Sequence, residues 1–279
     1  WSSDVCSSDL MVSAYTGNVW LAILAGIVAG VLMALLLGLF HIYFKTNLFI
    51  GGLAVNLMAS GGTVFLLYIM TGDKGNSASV KSLSVPNWDI PLIKDIPFLG
   101  DVISGHPVFT YLAFLSVILV YIFLYRTRFG THLRAVGENP EAATTLGIDV
   151  KKSRMIALAI SGVFAALGGM NLSMAYLQFF QKEMAAGRGW IGIAAVHLGA
   201  RKPLGVLLAS ILFGFADAVS NQLGSLNIPS QLVQTIPYVT TVVALAVFAI
   251  QQRQASLERM KRYQKEHMEA ISAHASKAE

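Results

Sequence analysis

Three polar side chains interrupt long apolar runs of this 279-residue chain: Asn56, Asp217 and Gln234. An amide or carboxylate at membrane depth is costly unless it is bonded, so each one either ties helices together or lines a path for a polar solute. Asp217 is the sharpest of the three, because an intramembrane carboxylate is a functional candidate by default. It can equally pair with a neighbouring span or lie near an interface. A second kind of signal is the polar stretch Arg134–Gly147. There Asn139 can cap a helix, Pro140 suits its first position, and Glu141 favours its positive end. Ala142 and Ala143 are good helix formers and Gly147 is a natural stop. About two turns of soluble helix held between apolar segments make a handle that another protein can grip, or simply a well-capped interfacial helix.

Other patterns carry no chemistry. Gly187-Arg188-Gly189-Trp190-Ile191-Gly192 matches G-x-G-x-x-G, but no strand precedes it and no acidic residue follows at the required distance. Its glycines fit tight helix packing or a break at a membrane edge. His41, His106, His132 and His197 are scattered over different segments, so no metal site is expected. No P-loop, catalytic triad or HExxH motif is present, and no cofactor or enzyme activity is expected. Cys6 is the one cysteine, which excludes a disulfide framework.

The elements that must position these residues are transmembrane helices. Hydrophobic residues make up 55% of the chain, charged residues 13%, and the mean hydropathy is +0.62. Val19–Phe40, Leu48–Met70, Val108–Tyr125, Met155–Leu177, Leu204–Gln222 and Leu232–Ile250 are each long enough for a hydrocarbon core of about 30 Å. Gly189–Leu198 is too short to span alone. The runs are continuous rather than alternating, so helices are expected and a β-barrel is not. The expected fold is an all-α, polytopic transmembrane helical bundle with six to seven membrane segments.

Charge sets the orientation. Arg126, Arg128, Arg134, Lys151, Lys152 and Arg154 crowd one loop, and Arg201 with Lys202 marks another. The tail adds Arg253, Arg259, Lys261, Arg262 and Lys265, whereas 71–107 balances three lysines with four aspartates. Basic loops lie on the cytoplasmic side. So 126–153 and the tail 251–279 read as cytoplasmic, and 71–107 as external. The net charge of +5 thus follows from topology and calls for no nucleic acid. Basic residues next to the membrane suit anionic lipid headgroups.

Smaller features complete the expectation. Gly26, Gly30, Ala34 and Gly38 form one small-residue face on the first span, suited to close helix packing. That span and the second read as a hairpin turning at His41–Asn47. Trp88, Phe98 and Leu99 suggest that the external loop folds back on the membrane surface or meets a partner. Pro237-Tyr238 is expected to break the last span, and no element is expected beyond Ile271. Trp1–Leu10 is Ser/Asp-rich and unlike everything after Met11, and it reads as a non-native extension. The apolar membrane domain is then 11–250.

Several of these stretches resemble one family. Glu141-Ala142-Ala143-x-x-x-Gly147 resembles the EAA-type loop of bacterial ABC import permeases. Arg134–Gly147 followed by Arg154–Gly169 is similar to the permeases for branched-chain amino acids, sugars and nucleosides. Phe49–Leu57, Gly187–Ala194, Leu212–Ala218 and Ile236–Val239 match as well, and the Phe-Gly-Phe-Ala-Asp and Pro-Tyr-Val stretches resemble the nucleoside-uptake branch. Where the family's loop pattern continues Ile-x-Leu-Pro, this chain has Ile156-Ala157-Leu158-Ala159. Family members also begin with further spans and a Gly-Leu-Glu-Gly stretch not found here, so a longer natural chain is expected.

The resemblance implies a bacterial inner-membrane importer working by alternating access. A cytoplasmic ABC ATPase drives it, a second permease chain completes the pathway, and an external substrate-binding lipoprotein delivers the solute. It assigns ATPase coupling to Gly137, Glu138, Asn139, Glu141, Ala142 and Gly147, and leaves Asn56, Asp217 and Gln234 for the pathway. Nucleosides are the expected solute and a simple sugar of the ribose type is the alternative. A secondary transporter needing no ATPase would want an ion or proton relay, for which Asp217 alone is thin support.

Overall fold

The structure is a computed structural model, and it describes residues 12–13, 16–72, 85–88, 104–177, 179, 184–185, 187–224 and 230–275. For Ser230–Gln234 and parts of the C-terminal helix only the backbone is described. Trp1–Leu10, Phe98 and Leu99 lie outside the described residues. The chain forms two compact units, Trp1–Ala186 and Gly187–Glu279.

In the first unit, α1 (Val19–Gly38) starts at Asn18, whose side chain accepts from the Trp20 N–H at 3.0 Å. It winds on as a π-helical turn, Leu39–Tyr43. After a bend in which Thr46 O lies 2.9 Å from His41 Nδ1, α2 (Leu48–Thr71) begins under an Asn47 cap. β1 (Asn87–Trp88) and β2 (His106–Pro107) form a two-residue antiparallel ladder. Next come α3 (Val108–Arg126), α4 (Arg128–Glu138), α5 (Pro140–Thr145) and α6 (Val150–Met170), the last extended by a π-helical stretch, Asn171–Leu177.

Close packing of α1 on α6 organises this unit. The expected small-residue face of α1 is the buried one: Gly26, Gly30, Ala34 and Gly38 all lie in it. It meets Gly162 and Ala166 of α6, and without side chains in the way the two backbones come together. The expected hairpin partner α2 makes far less contact with α1 than α6 does. Sequence adjacency therefore misleads here, because the matching small-residue face is on α6. Ala22, Leu67, Phe109, Ala166, Met170 and Met174 form the core. Val85 joins them, its N–H donating to Met174 O at 3.4 Å. Trp88 stacks edge-on to Tyr111, whose hydroxyl donates to Trp88 O at 3.3 Å, so the described part of 71–107 folds back onto the helices.

The second unit contains α7 (Arg188–Leu198), α8 (Pro203–Leu223) and α9 (Ser230–Ala275). The turn between α7 and α8 is tight: a Cβ on Gly205 would lie 2.9 Å from Gly199 Cα. Ala194 and Ala195 of α7 pack with Ala209 and Phe213 of α8, with Ala244 and Leu245 of α9 against them. The expected break at Pro237 is corrected. α9 is continuous through it, and Thr240 and Thr241 donate to the carbonyls of Ile236 and Pro237 at 2.9 and 2.7 Å. Packing on neighbouring helices lets apolar helices keep an internal proline. The same helix carries on to Ala275, past the expected end at Ile271.

Among the described residues, five helices are long and apolar enough to cross a membrane: Val19–Tyr43, Leu48–Thr71, Val108–Arg126, Val150–Leu177 and Pro203–Leu223. Thr235–Gln251 is a shorter apolar stretch. The fold is an all-helical, multi-pass bundle, as the sequence indicates.

Candidate functional site

The polar segment between α3 and α6 is a chain of three caps. Thr127 Oγ1 accepts from the Gly130 N–H at 3.1 Å and starts α4. α4 turns back sharply on α3: a Cβ on Gly130 would sit 2.7 Å from Leu124 Cα. Asn139 both ends α4, donating its N–H to Ala135 O at 3.0 Å, and begins α5. Its side-chain oxygen accepts from the N–H groups of Glu141 and Ala142, each at 3.1 Å. Pro140 occupies the first helical position, where its missing N–H costs nothing.

Gly147 closes α5 as the sequence indicates, with a left-handed φ of 77°. The Ile148 N–H reaches back to Ala143 O at 3.1 Å and the Gly147 N–H to Thr144 O at 3.0 Å. That pair of bonds is a Schellman stop. Two residues on, Asp149 accepts from the Lys152 N–H at 3.1 Å and starts α6. That backbone bond, reinforced by the Lys152 ammonium 3.5 Å away, holds the Asp149 carboxyl below its usual range.

Gly130, Val136 and Ala143 are the buried residues of the α4–α5 pair. Gly137, Glu138, Asn139, Glu141, Ala142 and Gly147 are all exposed, so the structure presents the six predicted residues together on one solvent-facing segment. Leu146 projects beside them, 76% exposed. Beneath it a cavity of about 600 Å³ is lined by Phe129, His132, Leu146, Ile148, Lys152 and Ile156, among others.

The pathway candidates fare differently. Asn56 is exposed on α2, beside the buried line Val55, Ala59, Thr63 and Leu67. Asp217 is in the second unit and is paired: its Oδ2 lies 3.3 Å from an Arg188 guanidinium nitrogen. The backbone of Gln234 is in α9 and its side chain lies outside those described. Arg188 was missed as a partner, since the sequence places it in a short, glycine-rich segment 29 positions away. Gly187 ahead of it adopts a φ of 78°, and a Cβ there would come within 2.8 Å of the Tyr238 hydroxyl. Among the described residues, no cluster of His, Cys, Asp or Glu could hold a metal ion.

Comparison with known proteins follows from this geometry. A family described as "Branched-chain amino acid transport system / permease component" matches residues 7–250. A nucleoside ABC transporter permease protein of Lactococcus lactis is 35% identical over 82% of this chain and 73% of its own length. A guanosine ABC transporter permease protein of Bacillus subtilis is also 35% identical, with the same coverage of 82% and 73%. A putative glucose ABC transporter permease protein of Haloferax volcanii is 32% identical over 86% of this chain and 78% of its own. No solved structure matches.

Proposed function

Because the chain belongs to the branched-chain amino acid transport system permease family, as a non-catalytic multi-pass subunit of an ABC importer, we propose that it takes up nucleosides by alternating access. The observation that carries the choice of solute is the 35% identity, over 82% of the chain, to relatives named for nucleosides and for guanosine. The glucose-named relative, 32% identical, favours a simple sugar as the second reading.

In this reading 126–153 and the tail face the cytoplasm and 71–107 faces outward. A cytoplasmic ATPase grips α5, a second permease chain completes the pathway, and an external binding lipoprotein delivers the solute. Gly137, Glu138, Asn139, Glu141, Ala142 and Gly147 form the gripped surface. The physics of coupling lies in stiffness. α5 is short, yet fixed by an asparagine cap at one end and a glycine stop at the other. It therefore moves as a body rather than unwinding. α6 starts three residues beyond Gly147, so displacement of α5 reaches that span directly, and α1 with it through their packed glycines. Rigid-body shifts of this kind are how packed helices change state.

Asn56, Asp217 and Gln234 contribute polar groups to the solute path, since ribose hydroxyls and base edges need donors and acceptors. The test is ATP-driven uptake in vesicles holding this chain, its ATPase, its permease partner and its binding protein. Labelled guanosine should accumulate and glucose should not. Accumulation of glucose alone overturns the nucleoside reading, and uptake without any ATPase overturns the importer mechanism.

A further inference from the structure

The side chains of α8 sort by angle around the helix, at about 100° per residue. Leu204, Leu208, Ile211, Leu212 and Phe215 fall on one side, and all are exposed, Leu208 and Phe215 at 69% each. A second face, Ala209, Phe213, Ala216 and Ser220, is buried. On a third face, about 130° round from the apolar ridge, Ser210, Gly214, Asp217 and Asn221 follow one another as i, i+4, i+7 and i+11. Three of them are exposed and Asp217 is half-buried. One helix long enough to span thus carries an apolar ridge, a buried face and a polar stripe as three separate sectors.

Hydrocarbon tolerates the ridge and not the stripe. An aspartate facing lipid at mid-span costs about 2.5–3.5 kcal/mol on insertion scales, and simulations give far more. Pairing with Arg188 reduces that cost without covering the charges, since the Arg188 and Asp217 side chains remain 39% and 36% exposed. Asp217 stands four residues past the middle of α8 and six before its end, about 9 Å along the axis, so the mid-span figure is an upper bound for it. Such a face needs water or polar surroundings, while the ridge meets lipid.

We propose that the stripe Ser210, Gly214, Asp217 and Asn221 lines the water-filled solute path, and that the Arg188–Asp217 pair contacts the base edge of a nucleoside passing along it. The carboxylate accepts from two adjacent N–H groups, and the guanidinium donates to a carbonyl oxygen or ring nitrogen. A guanine edge presents both types side by side. Because the pair is neutral as a unit, it can meet a neutral solute without a counter-ion. The choice of solute rests on the nucleoside reading above; the wetness of the stripe does not.

The test uses the complete transporter with Cys6→Ser as background. Gly214→Cys and Asn221→Cys place reporters one turn either side of Asp217 and leave the ion pair intact; a Cβ at 214 meets nothing within 4 Å. Leu208→Cys and Phe215→Cys report on the ridge. A membrane-impermeant thiol reagent should label 214 and 221 at least tenfold faster than 208 and 215, and guanosine should slow that labelling. Equal or inverted labelling overturns the water-lined stripe. Asp217→Asn and Arg188→Lys, compared at equal amounts of inserted protein, should raise the half-saturating guanosine concentration at least tenfold and that for adenosine much less. Uniform loss for all nucleosides, restored by combining Arg188→Asp with Asp217→Arg, makes the pair a helix clamp and overturns the contact with the base. If the unmodified transporter takes up no nucleoside, the function reading falls instead, and the labelling still decides the stripe.

Discussion

Gly30 and Gly162 meet backbone to backbone. A Cβ on Gly162 would lie 2.8 Å from the carbonyl oxygen of Gly30, and a Cβ on Gly30 would lie 3.0 Å from the carbonyl oxygen of Gly162. Neither obstacle is the end of a flexible side chain, so neither can swing away. This reciprocal contact ties the first described span to the span that follows α5.

Gly30→Leu or Gly162→Leu should therefore force α1 and α6 apart, at a cost of about 1–3 kcal/mol or more. Gly61→Ala makes the control, because a Cβ there meets nothing within 4 Å. Thermal unfolding of the detergent-extracted protein checks this: the two leucine variants should melt well below wild type and Gly61→Ala beside it.

Replacing Gly147 with a bulky residue should spare insertion and uncouple transport. Its space is open, so the penalty comes from the φ of 77° alone, about 1–2 kcal/mol for an L side chain. Gly147→Val should abolish uptake in membranes that contain normal amounts of permease, whereas Gly147→Asn should retain much of it. Normal uptake by Gly147→Val would remove the stop from the coupling argument.

Asn139 holds two N–H groups at the start of α5. Asn139→Ala should destabilise that helix by about 1 kcal/mol, and Asn139→Asp much less. Co-purification of the ATPase subunit is the readout: the alanine variant should recover less of it, the aspartate variant a near-normal share.

The Asp149 cap gives a pH dependence with a definite sign. Its carboxyl is held below the ordinary value by the Lys152 N–H. It therefore contributes stability that is fully present above its unfolded value, and is lost as the pH falls through the lowered folded value. Amide exchange at Lys151 and Lys152 should be protected at neutral pH and lose protection only under strong acid. Asp149→Ala should remove the protection at every pH.

Much of this protein was legible in order along the chain. Apolar runs marked the spans, because hydrocarbon demands about 20 consecutive apolar residues wherever a helix crosses it. The turn at 139–147 was equally readable. Asparagine, proline and glycine act there through the backbone of their own neighbours, and each cap formed as its residue type requires. Pro237 was misread for the complementary reason, since α9, packed on α7 and α8, stays helical through a residue that breaks exposed helices.

Partner choice was decided by tertiary structure alone. Gly26, Gly30 and Ala34 announced a close approach but not to what, and the answer was α6 rather than the adjacent α2. Likewise Asp217 announced a charge within an apolar helix but not its partner, and only folding brought Arg188 to it from 29 positions away. Local hydrogen bonds and hydropathy are properties of a few consecutive residues. Which faces meet depends on the simultaneous fit of distant surfaces, and no short stretch of sequence contains that.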